Sequence, residues 1–242
     1  MYGLIGFPLS HSFSEKYFSD FFIRENIPAV FKNFPIENAD RFPEIIQTYP
    51  ALKGLAVTIP FKKSIIPFLE KISQEAEETG ACNCIKIRDG KCTGFNTDII
   101  GFEKSFIPAI LPTDKKALIL GTGGASAAAV FVCKKNKIDF LFVSRKKNEK
   151  KNTINYEEID ENIMQQYSIL INATPVGQVP EINAAPNIPY RFLTQKHYLF
   201  DMIYNPAETQ FLKNGLSHGA RIKNGLQMLE IQAMENWKIW NG

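Results

Sequence analysis

Hydrophobic and polar positions along the chain follow two periods, one typical of strands and one typical of helices. Short apolar runs in YGLIGF at 2–7 and LKGLAVTI at 52–59 predict buried strands. Between them, SFSEKYFSDFFIREN predicts an amphipathic helix, because its aromatic residues recur at helical spacing: Phe13, Tyr17, Phe18, Phe21 and Phe22. The segment ACNCIKIRDGKCTGFNTD alternates on both sides of Asp89-Gly90, which predicts a hairpin.

The pattern becomes more regular from Lys115 onward. The segments KALILG, GASAAAVFVCKKN and IDFLFVS predict a strand, a helix and a strand, and YSILINAT and KHYLFDMIY are further apolar runs that end at polar residues. Strands that alternate with helices predict an α/β fold with a largely parallel sheet. We place a first domain at 1–101 and a second at 102–225, and we expect the C-terminal helix at 226–242 to pack back on the first.

Composition narrows the class of protein. The chain has 242 residues, of which 45% are hydrophobic and 22% charged, and its net charge is +3. These values are typical of a globular protein and give no overall basic field for a nucleic acid. The N-terminus lacks a basic region and a long apolar run, so we expect no signal peptide and no membrane span. Four cysteines without paired zinc-type spacing indicate reduced thiols, a cytoplasmic location and no metal site: Cys82, Cys84, Cys92 and Cys133.

A glycine turn in GTGGAS indicates a dinucleotide site. Gly121 and Gly123 match the first two glycines of the G-x-G-x-x-G pattern, and Ser126 stands at the third. Gly121 permits a tight turn, Gly123 lets the backbone approach a pyrophosphate, and the following helix N-terminus favours an anion. The alternative is a tight turn with a structural role only.

The second strand of this unit points to NADP rather than NAD. An NAD site places an acidic residue after this strand, but here Ser144, Arg145 and Lys146 follow it. A guanidinium can hold a 2′-phosphate through two parallel hydrogen bonds, whereas a carboxylate would repel it. The alternative is that RKKNEKK is a solvated surface turn; a nucleic-acid patch is disfavoured because no aromatic residues interrupt the run.

Two segments of the first domain offer a proton-transfer pair. None of the three histidines has an evident acidic partner, and a Tyr49-x-x-x-Lys53 pair precedes the cofactor unit and is interrupted by proline. Lys62 instead follows a strand at its carboxyl end, and Asp98 lies in a glycine-bounded turn before a helix. A lysine and an aspartate can deliver a proton to the alkoxide that forms when hydride reaches a ketone. A surface lysine and an N-cap aspartate are the alternatives.

Taken in order, eight segments resemble the shikimate dehydrogenase family over essentially the whole chain. They are GFPLSHSFS, GLAVTIPFK, TGACNCI, GFNTDIIG, GTGGASAA, INATPVG, DMIYNPAETQFL and NGLQMLEIQA. The resemblance implies an α/β substrate domain, formed by 1–101 with the C-terminal helix, and an NADP-binding Rossmann domain. It also implies NADPH-dependent, reversible reduction of 3-dehydroshikimate to shikimate, with a small-molecule substrate and no nucleic-acid or membrane partner. A monomer and a homodimer are both left open.

The resemblance also implies a role for each matching residue. Lys62 and Asp98 form the catalytic dyad. The residues expected to bind the substrate carboxylate or ring hydroxyls are Ser12, Ser14, Thr58, Asn83, Tyr204 and Gln232, together with Asp98. The cofactor phosphates are expected at Gly121, Gly123, Gly124 and Ala125, with Ser144, Arg145 and Lys146 at the 2′-phosphate. The residues expected near the nicotinamide are Thr174, Met202, Gly225 and Met228.

Some positions depart from the family pattern. Ala56 stands where the family usually has asparagine, Cys84 replaces a usual threonine, Ser144 a usual asparagine, and Glu15 a usual proline. Ala56 removes a hydrogen-bonding group, so it bears on substrate selectivity more than on the type of reaction. Two alternatives therefore remain: a relative that also accepts quinate and uses NAD, and an inactive module that binds nucleotide as a regulator. Ser12 with Glu15 also forms a capping-box pattern for the helix that follows.

Overall fold

Two six-stranded sheets organise the chain in the computed structural model, which describes residues 1–9, 12–145 and 152–242. Contacts divide the chain into a first unit, Met1–Thr97 with Gln232–Gly242, and a second unit, Asp98–Ile231. The divisions follow Thr97 and Ile231, whereas the sequence analysis placed them after 101 and 225. The last helix, Leu226–Asn241, contributes residues to both units, which is why a boundary drawn at its start does not match the contacts.

The first unit combines parallel and antiparallel pairing in one sheet. Its strands run in the order β2-β1-β3-β5-β6-β4, with β1, β2 and β3 parallel and β5 antiparallel to both β3 and β6. The predicted hairpin is confirmed: β5 and β6 turn at Asp89 and Gly90, whose φ angles are +52° and +74°. The bounds are β1 Tyr2–Gly6, β2 Phe31–Pro35, β3 Gly54–Val57, β4 Lys71–Ile72, β5 Cys84–Arg88, β6 Lys91–Phe95, α1 Phe13–Arg24, α2 Phe42–Thr48 and α3 Gln74–Thr79.

Aromatic side chains hold α1 and the C-terminal segment against this sheet. The Phe18 ring stacks on Phe31 with the centroids 4.8 Å apart, and the Trp240 ring lies 5.3 Å from Phe18. The Trp240 indole N–H donates to the Ile85 carbonyl at 3.1 Å. Gly54 makes this packing possible, because a Cβ there would overlap the Trp240 indole ring. The expected return of the last helix to the first domain therefore corresponds to residues 232–241.

The second unit is an all-parallel α/β unit, which confirms the predicted fold class. Its strands run in the order β12-β11-β10-β7-β8-β9. The central strands are apolar throughout because both faces are covered: Ile119 and Ile171 belong to one core, while Leu118 and Leu170 belong to the core on the opposite face. The bounds are β7 Lys116–Leu120, β8 Asp139–Val143, β9 Thr153–Ile154, β10 Ile169–Asn172, β11 Tyr198–Asp201, β12 Arg221–Lys223, α4 Asp98–Phe106, α5 Ser126–Lys135, α6 Glu161–Gln166, α7 Gln210–Ser217 and α8 Leu226–Asn241.

No helix in the described part of the chain is both long enough and apolar enough to cross a bilayer.

We expect Gly54→Ala to destabilise the protein by about 2 kcal/mol, because the added methyl group would force the buried Trp240 ring out of its place. Urea unfolding followed by tryptophan fluorescence measures the change. Lys53→Ala is the matched control, since Lys53 is the exposed neighbour and should change stability by less than about 0.5 kcal/mol. Equal stabilities of the two variants would contradict this account of the packing.

Candidate active site

Strand pairing in the first sheet gathers several predicted site residues at one edge. The Thr58 amide donates to the Ile5 carbonyl at 2.9 Å, which joins the loop after β3 to the end of β1. The Val57 amide donates to the Asn83 carbonyl at 2.8 Å, which places Asn83 beside the same strand end. Loops at the carboxyl ends of strands are where open α/β sheets bind their ligands. Thr58 and Asn83 therefore lie at the same end of β3, and their substrate-binding roles stay predictions.

The two serines of the N-terminal motif lie at the start of α1. Ser12 is the N-cap and its Oγ accepts from the Glu15 amide at 3.4 Å, while Ser14 is half-buried in the first turn. Only half of the capping box forms, because the Glu15 carboxylate accepts from the Asn33 side chain at 2.7 Å. A helix N-terminus with two hydroxyl groups suits a carboxylate. His11, which separates these serines from the preceding loop, lies outside the described residues.

Lys62 lies in the turn that follows β3. The flanking residues Phe61 and Ile65 are buried, and the Cys82 amide donates to the Lys62 carbonyl at 2.7 Å. These contacts fix the backbone of the turn and leave the lysine side chain half-buried. A fixed backbone and a half-buried residue are compatible with proton transfer by Lys62.

Asp98 is the first residue of α4 and is half-buried. The helix is anchored by Ile99 and Phe102, both buried in the core of the second unit. Asp98 follows Thr97 directly, and Thr97 ends the first unit. The catalytic role of Lys62 and Asp98 stays a prediction that rests on the family resemblance.

Four polar side chains form a buried network within the first unit: Asn83, Thr97, Gln232 and Asn236. Asn83 and Gln232 were predicted from the sequence, whereas Thr97 and Asn236 were not. Asn236 lies four residues after Gln232 on α8, so the two side chains share one face of the helix. That spacing is the signal that could have identified it.

Ala56, the main departure from the family pattern, lies inside a core. It is buried and is the direct cross-strand neighbour of Cys84, another departure. Both belong to the cluster that contains Trp240 and Ala233. An asparagine at 56 would need hydrogen-bond partners in surroundings that are here apolar. The two departures are therefore consistent with each other.

The second sheet presents most of the predicted cofactor residues at its own carboxyl edge. Because all its strands are parallel, the loops after five of them lie at the same edge. These loops contain Gly121 after β7, Ser144 and Arg145 after β8, Thr174 after β10, Met202 and Tyr204 after β11, and Gly225 after β12.

The glycine turn fits a bound pyrophosphate. Gly121 has φ of +99°, and a Cβ there would lie 2.8 Å from Thr174 Cγ2, so the turn needs glycine. A Cβ at Gly123 or Gly124 would meet nothing within 4 Å, so the backbone at both positions is open to a ligand. The Ser126 hydroxyl donates to the Gly123 carbonyl at 2.7 Å and fixes the turn, while Ala125 is the N-cap of α5. Ser126, at the third position of the G-x-G-x-x-G pattern, thus stabilises the turn although it is not glycine.

The predicted 2′-phosphate residues are described only in part. The Ser144 amide donates to the Ile154 carbonyl at 3.0 Å, which holds the start of the loop, and the Arg145 side chain is exposed. Arg145 lies near enough to Tyr156 to oppose the rise that burial causes in the pKa of that phenol. Lys146 lies outside the described residues.

Among the predicted nicotinamide residues, the backbone of Gly225 lies close to the backbone of Met202 and Ile203. A Cβ at Gly225 would overlap the Met202 carbonyl, and the Gly225 amide donates to the Ile203 carbonyl at 3.0 Å. Met202 and Met228 are half-buried against the core beneath. Tyr204 is half-buried and burial raises the pKa of its phenol, which keeps it a neutral hydrogen-bonding group.

Asp201, which was not predicted from the sequence, is a buried carboxylate that accepts several hydrogen bonds at this edge of the sheet. Asp201 Oδ1 accepts from the Asn172 side chain and from the Ile203 amide, each at 3.0 Å, and Oδ2 accepts from the Thr209 hydroxyl at 2.6 Å. Asn172 in turn accepts from the Thr174 hydroxyl at 2.6 Å. Burial raises the pKa of Asp201 to about 6, and its three hydrogen bonds oppose the rise only in part.

Comparisons with known proteins identify similar sequences and structures. A family model described as the shikimate dehydrogenase substrate binding domain matches residues 4–85. The chain is 35% identical to the shikimate dehydrogenase (NADP(+)) of Methanosphaera stadtmanae, over 99% of this chain and 90% of the relative. The crystal structure of shikimate dehydrogenase 1 from Peptoclostridium difficile is 38% identical with a TM-score of 0.86, covering 99% of this chain and 90% of that one. A shikimate dehydrogenase solved in complex with NADP+ is 32% identical with a TM-score of 0.84, covering 100% and 89%.

Ionisation of Asp201 should lower stability as the pH rises. Because its pKa of about 6 exceeds the ordinary value of 3.8, the folded state keeps the proton to a higher pH than the unfolded chain does. The stabilisation is therefore complete below about pH 4 and is lost through pH 6, at a cost of about 3 kcal/mol. We expect Asp201→Asn, which stays neutral, to gain about that much stability relative to the original protein between pH 4 and pH 7.

Urea unfolding followed by circular dichroism at several pH values measures this difference. Glu208→Gln removes an exposed carboxylate from the same loop and should show no such gain. A stability difference between Asp201→Asn and the original protein that does not change with pH would contradict the assignment.

Proposed function

The chain belongs to the shikimate dehydrogenase family, and from that premise we propose that it is an NADP-dependent oxidoreductase that reduces 3-dehydroshikimate reversibly to shikimate. The observation that carries the proposal is 35% identity, over 99% of the chain, to a relative named shikimate dehydrogenase (NADP(+)). The product would feed the biosynthesis of chorismate and the aromatic amino acids.

Neutral donors would bind the substrate. We assign the substrate carboxylate to Ser12, Ser14 and Thr58, with Tyr204 as a further hydroxyl donor. The N-terminus of α1 and the serine hydroxyls attract an anion without placing a full charge beside it. The buried amides of Asn83 and Gln232 suit the ring hydroxyls, because an amide nitrogen donates hydrogen bonds that a hydroxyl oxygen can accept. Asp98 would accept from a ring hydroxyl as well.

Lys62 would supply the proton that the reduced ketone needs. The reaction converts a carbonyl oxygen to a hydroxyl, so a positioned acid must protonate that oxygen as its negative charge develops. Lys62 has a fixed backbone and is half-buried as a residue, which suits this role. Asp98 is assigned as the carboxylate that stabilises the ammonium charge.

The cofactor residues fit NADPH, which when bound would supply the hydride. The open backbone at Gly123 and Gly124, next to Gly121 and the N-cap Ala125, would hold the pyrophosphate. Ser144, Arg145 and Lys146 would hold the 2′-phosphate, and the chain offers no acidic residue among them. Thr174, Met202, Gly225 and Met228 would bound the nicotinamide. We place the enzyme in the cytoplasm because all four cysteines are buried free thiols.

We expect purified protein to reduce NADP rapidly with shikimate and slowly or not at all with quinate or with NAD, as measured by absorbance of the reduced nicotinamide. Lys62→Met should lower kcat by about 10²–10⁴-fold, because the variant lacks the proposed proton donor. Lys63→Met, which removes the exposed neighbouring amine, is the matched control and should keep its activity.

Each outcome of this assay has a distinct meaning. Comparable rates with quinate or NAD would assign the protein to the dual-specificity branch. Silence with all four substrate and cofactor pairs, together with retained NADP binding, would support the inactive regulatory module. Activity above one tenth of normal in Lys62→Met would remove Lys62 from the mechanism.

The preference for NADP should depend on Arg145. Arg145→Ala should raise the KM for NADP by about 10–100-fold and leave the KM for NAD unchanged, because only NADP carries the 2′-phosphate. Steady-state kinetics with both cofactors tests this. Lys134→Ala is the control, since it removes one exposed positive charge from the last turn of α5. An equal loss for NADP in both variants would reveal a general charge effect instead.

A further inference from the structure

We propose that Thr97 and Asn236 are positioning residues that fix the side-chain amide of Gln232 with its oxygen inward, so that Gln232 acts on the substrate as a hydrogen-bond donor. The proposal deepens the proposed function and rests on it. The proposal follows from the hydrogen bonds of the buried network in the first unit. It concerns two residues to which the family resemblance assigned no role.

The orientation of the network is fixed by the backbone N–H of Thr97, which can only donate a hydrogen bond. The backbone amide of Thr97 donates to Asn83 Oδ1 at 2.7 Å, and a backbone N–H is only a donor. The Thr97 hydroxyl lies 3.1 Å from the same oxygen. Asn83 must therefore turn its carbonyl oxygen toward Thr97, and its Nδ2 group faces the other way. This contact settles the orientation of the Asn83 amide on chemical grounds.

The side-chain amides of Asn83 and Asn236 then determine the orientation of the Gln232 amide. Asn83 Nδ2 donates to Gln232 Oε1 at 3.3 Å. The Thr97 hydroxyl donates to Asn236 Oδ1 at 2.6 Å, which turns the Asn236 Nδ2 group toward Gln232. Asn236 Nδ2 donates to the same Gln232 oxygen at 3.4 Å. Both lone pairs of Gln232 Oε1 are thereby occupied from inside the unit.

The Nε2 group of Gln232 can donate a hydrogen bond to a ligand. Among the described residues it makes no hydrogen bond, although Gln232 is only 9% exposed. An amide nitrogen offers two N–H donors and no acceptor. Gln232 would thus recognise an oxygen that accepts, such as a hydroxyl or carbonyl oxygen of the substrate. A group that could only donate would find no partner at Nε2.

Asn236 contributes by occupying one of the two lone pairs and by setting the tilt of the amide. In Asn236→Ala, Gln232 Oε1 keeps only the bond from Asn83, and the amide gains freedom to rotate. We expect the KM for shikimate to rise about tenfold, which corresponds to the loss of one well-oriented hydrogen bond. The kcat should stay within about threefold and the KM for NADP should not change, because the proton donor and the cofactor residues are untouched.

A purely structural role for Asn236 makes a different prediction. Trp240→Phe is the matched control, because Trp240 lies on the same helix and loses its own buried hydrogen bond to the Ile85 carbonyl. Both variants should lower the unfolding midpoint, but only Asn236→Ala should raise the KM for shikimate. An equal rise of that KM in Trp240→Phe, or no rise in Asn236→Ala, would overturn the proposal.

Thr97 allows a conservative rescue. Thr97→Val removes the hydroxyl and keeps the backbone amide, so Asn83 stays oriented while Asn236 loses its donor. We expect the KM for shikimate to rise as in Asn236→Ala. Thr97→Ser restores the hydroxyl and should return the KM close to its original value. Equal KM values for the valine and serine variants would contradict the role of the hydroxyl.

The donor role is tested by Gln232→Glu. The substitution keeps an inward oxygen for Asn83 and Asn236 but presents a carboxylate oxygen to the ligand in place of N–H groups. We expect the KM for shikimate at pH 8 to rise by more than about tenfold. If Gln232 instead accepts a hydrogen bond from a substrate hydroxyl, the carboxylate would bind as well or better, and this result would overturn the proposal.

Failure of the proposed function would look different from failure of this inference. An original protein that is inactive with shikimate and NADP would remove the proposed function, and the inference would fall with it. An active original protein whose Asn236→Ala, Thr97→Val and Gln232→Glu variants keep their KM for shikimate would overturn the inference alone.

Discussion

Parallel strand pairing is the constraint on which both candidate sites depend. In a parallel sheet every strand ends at the same edge, so loops far apart in sequence are brought side by side. The second sheet is parallel throughout, and the loops after five of its strands contain most of the residues assigned to the cofactor. The first sheet keeps β1, β2 and β3 parallel and adds the antiparallel pair β5 and β6, which brings Asn83 to the carboxyl end of β3.

The features that the sequence predicted well are those that local pattern determines. The Asp89-Gly90 hairpin and the buried strands of the second unit follow from turn chemistry and from apolar runs. The glycine turn at Gly121 follows from its position between a strand and an alanine-rich helix. Each depends on a few neighbouring residues, and the structure forms each as expected.

The features that the sequence did not predict depend on distant partners. Asp201 ends an apolar strand, and the local pattern does not show that its carboxylate is buried beside Asn172, which lies 29 positions earlier in the chain. Thr97 and Asn236 are 139 positions apart, so neither suggests the other. The division of α8 between two units is likewise a property of tertiary contacts, since the helix itself is continuous from Leu226 to Asn241.

Each of the two units uses an asparagine to fix the orientation of a neighbouring side chain. Each must hold a side chain at a strand end in one orientation, and each does so with an asparagine whose oxygen accepts from a backbone N–H: Asn83 from Thr97, and Asn172 from Thr174. Because a backbone amide cannot reverse its polarity, the asparagine amide is fixed, and so is whatever its nitrogen donates to. In the first unit that acceptor is Gln232, which remains neutral. In the second it is Asp201, whose burial raises its pKa to about 6. The hydrogen bond from Asn172 opposes that rise, so burial and not the asparagine costs stability once the carboxylate is ionised.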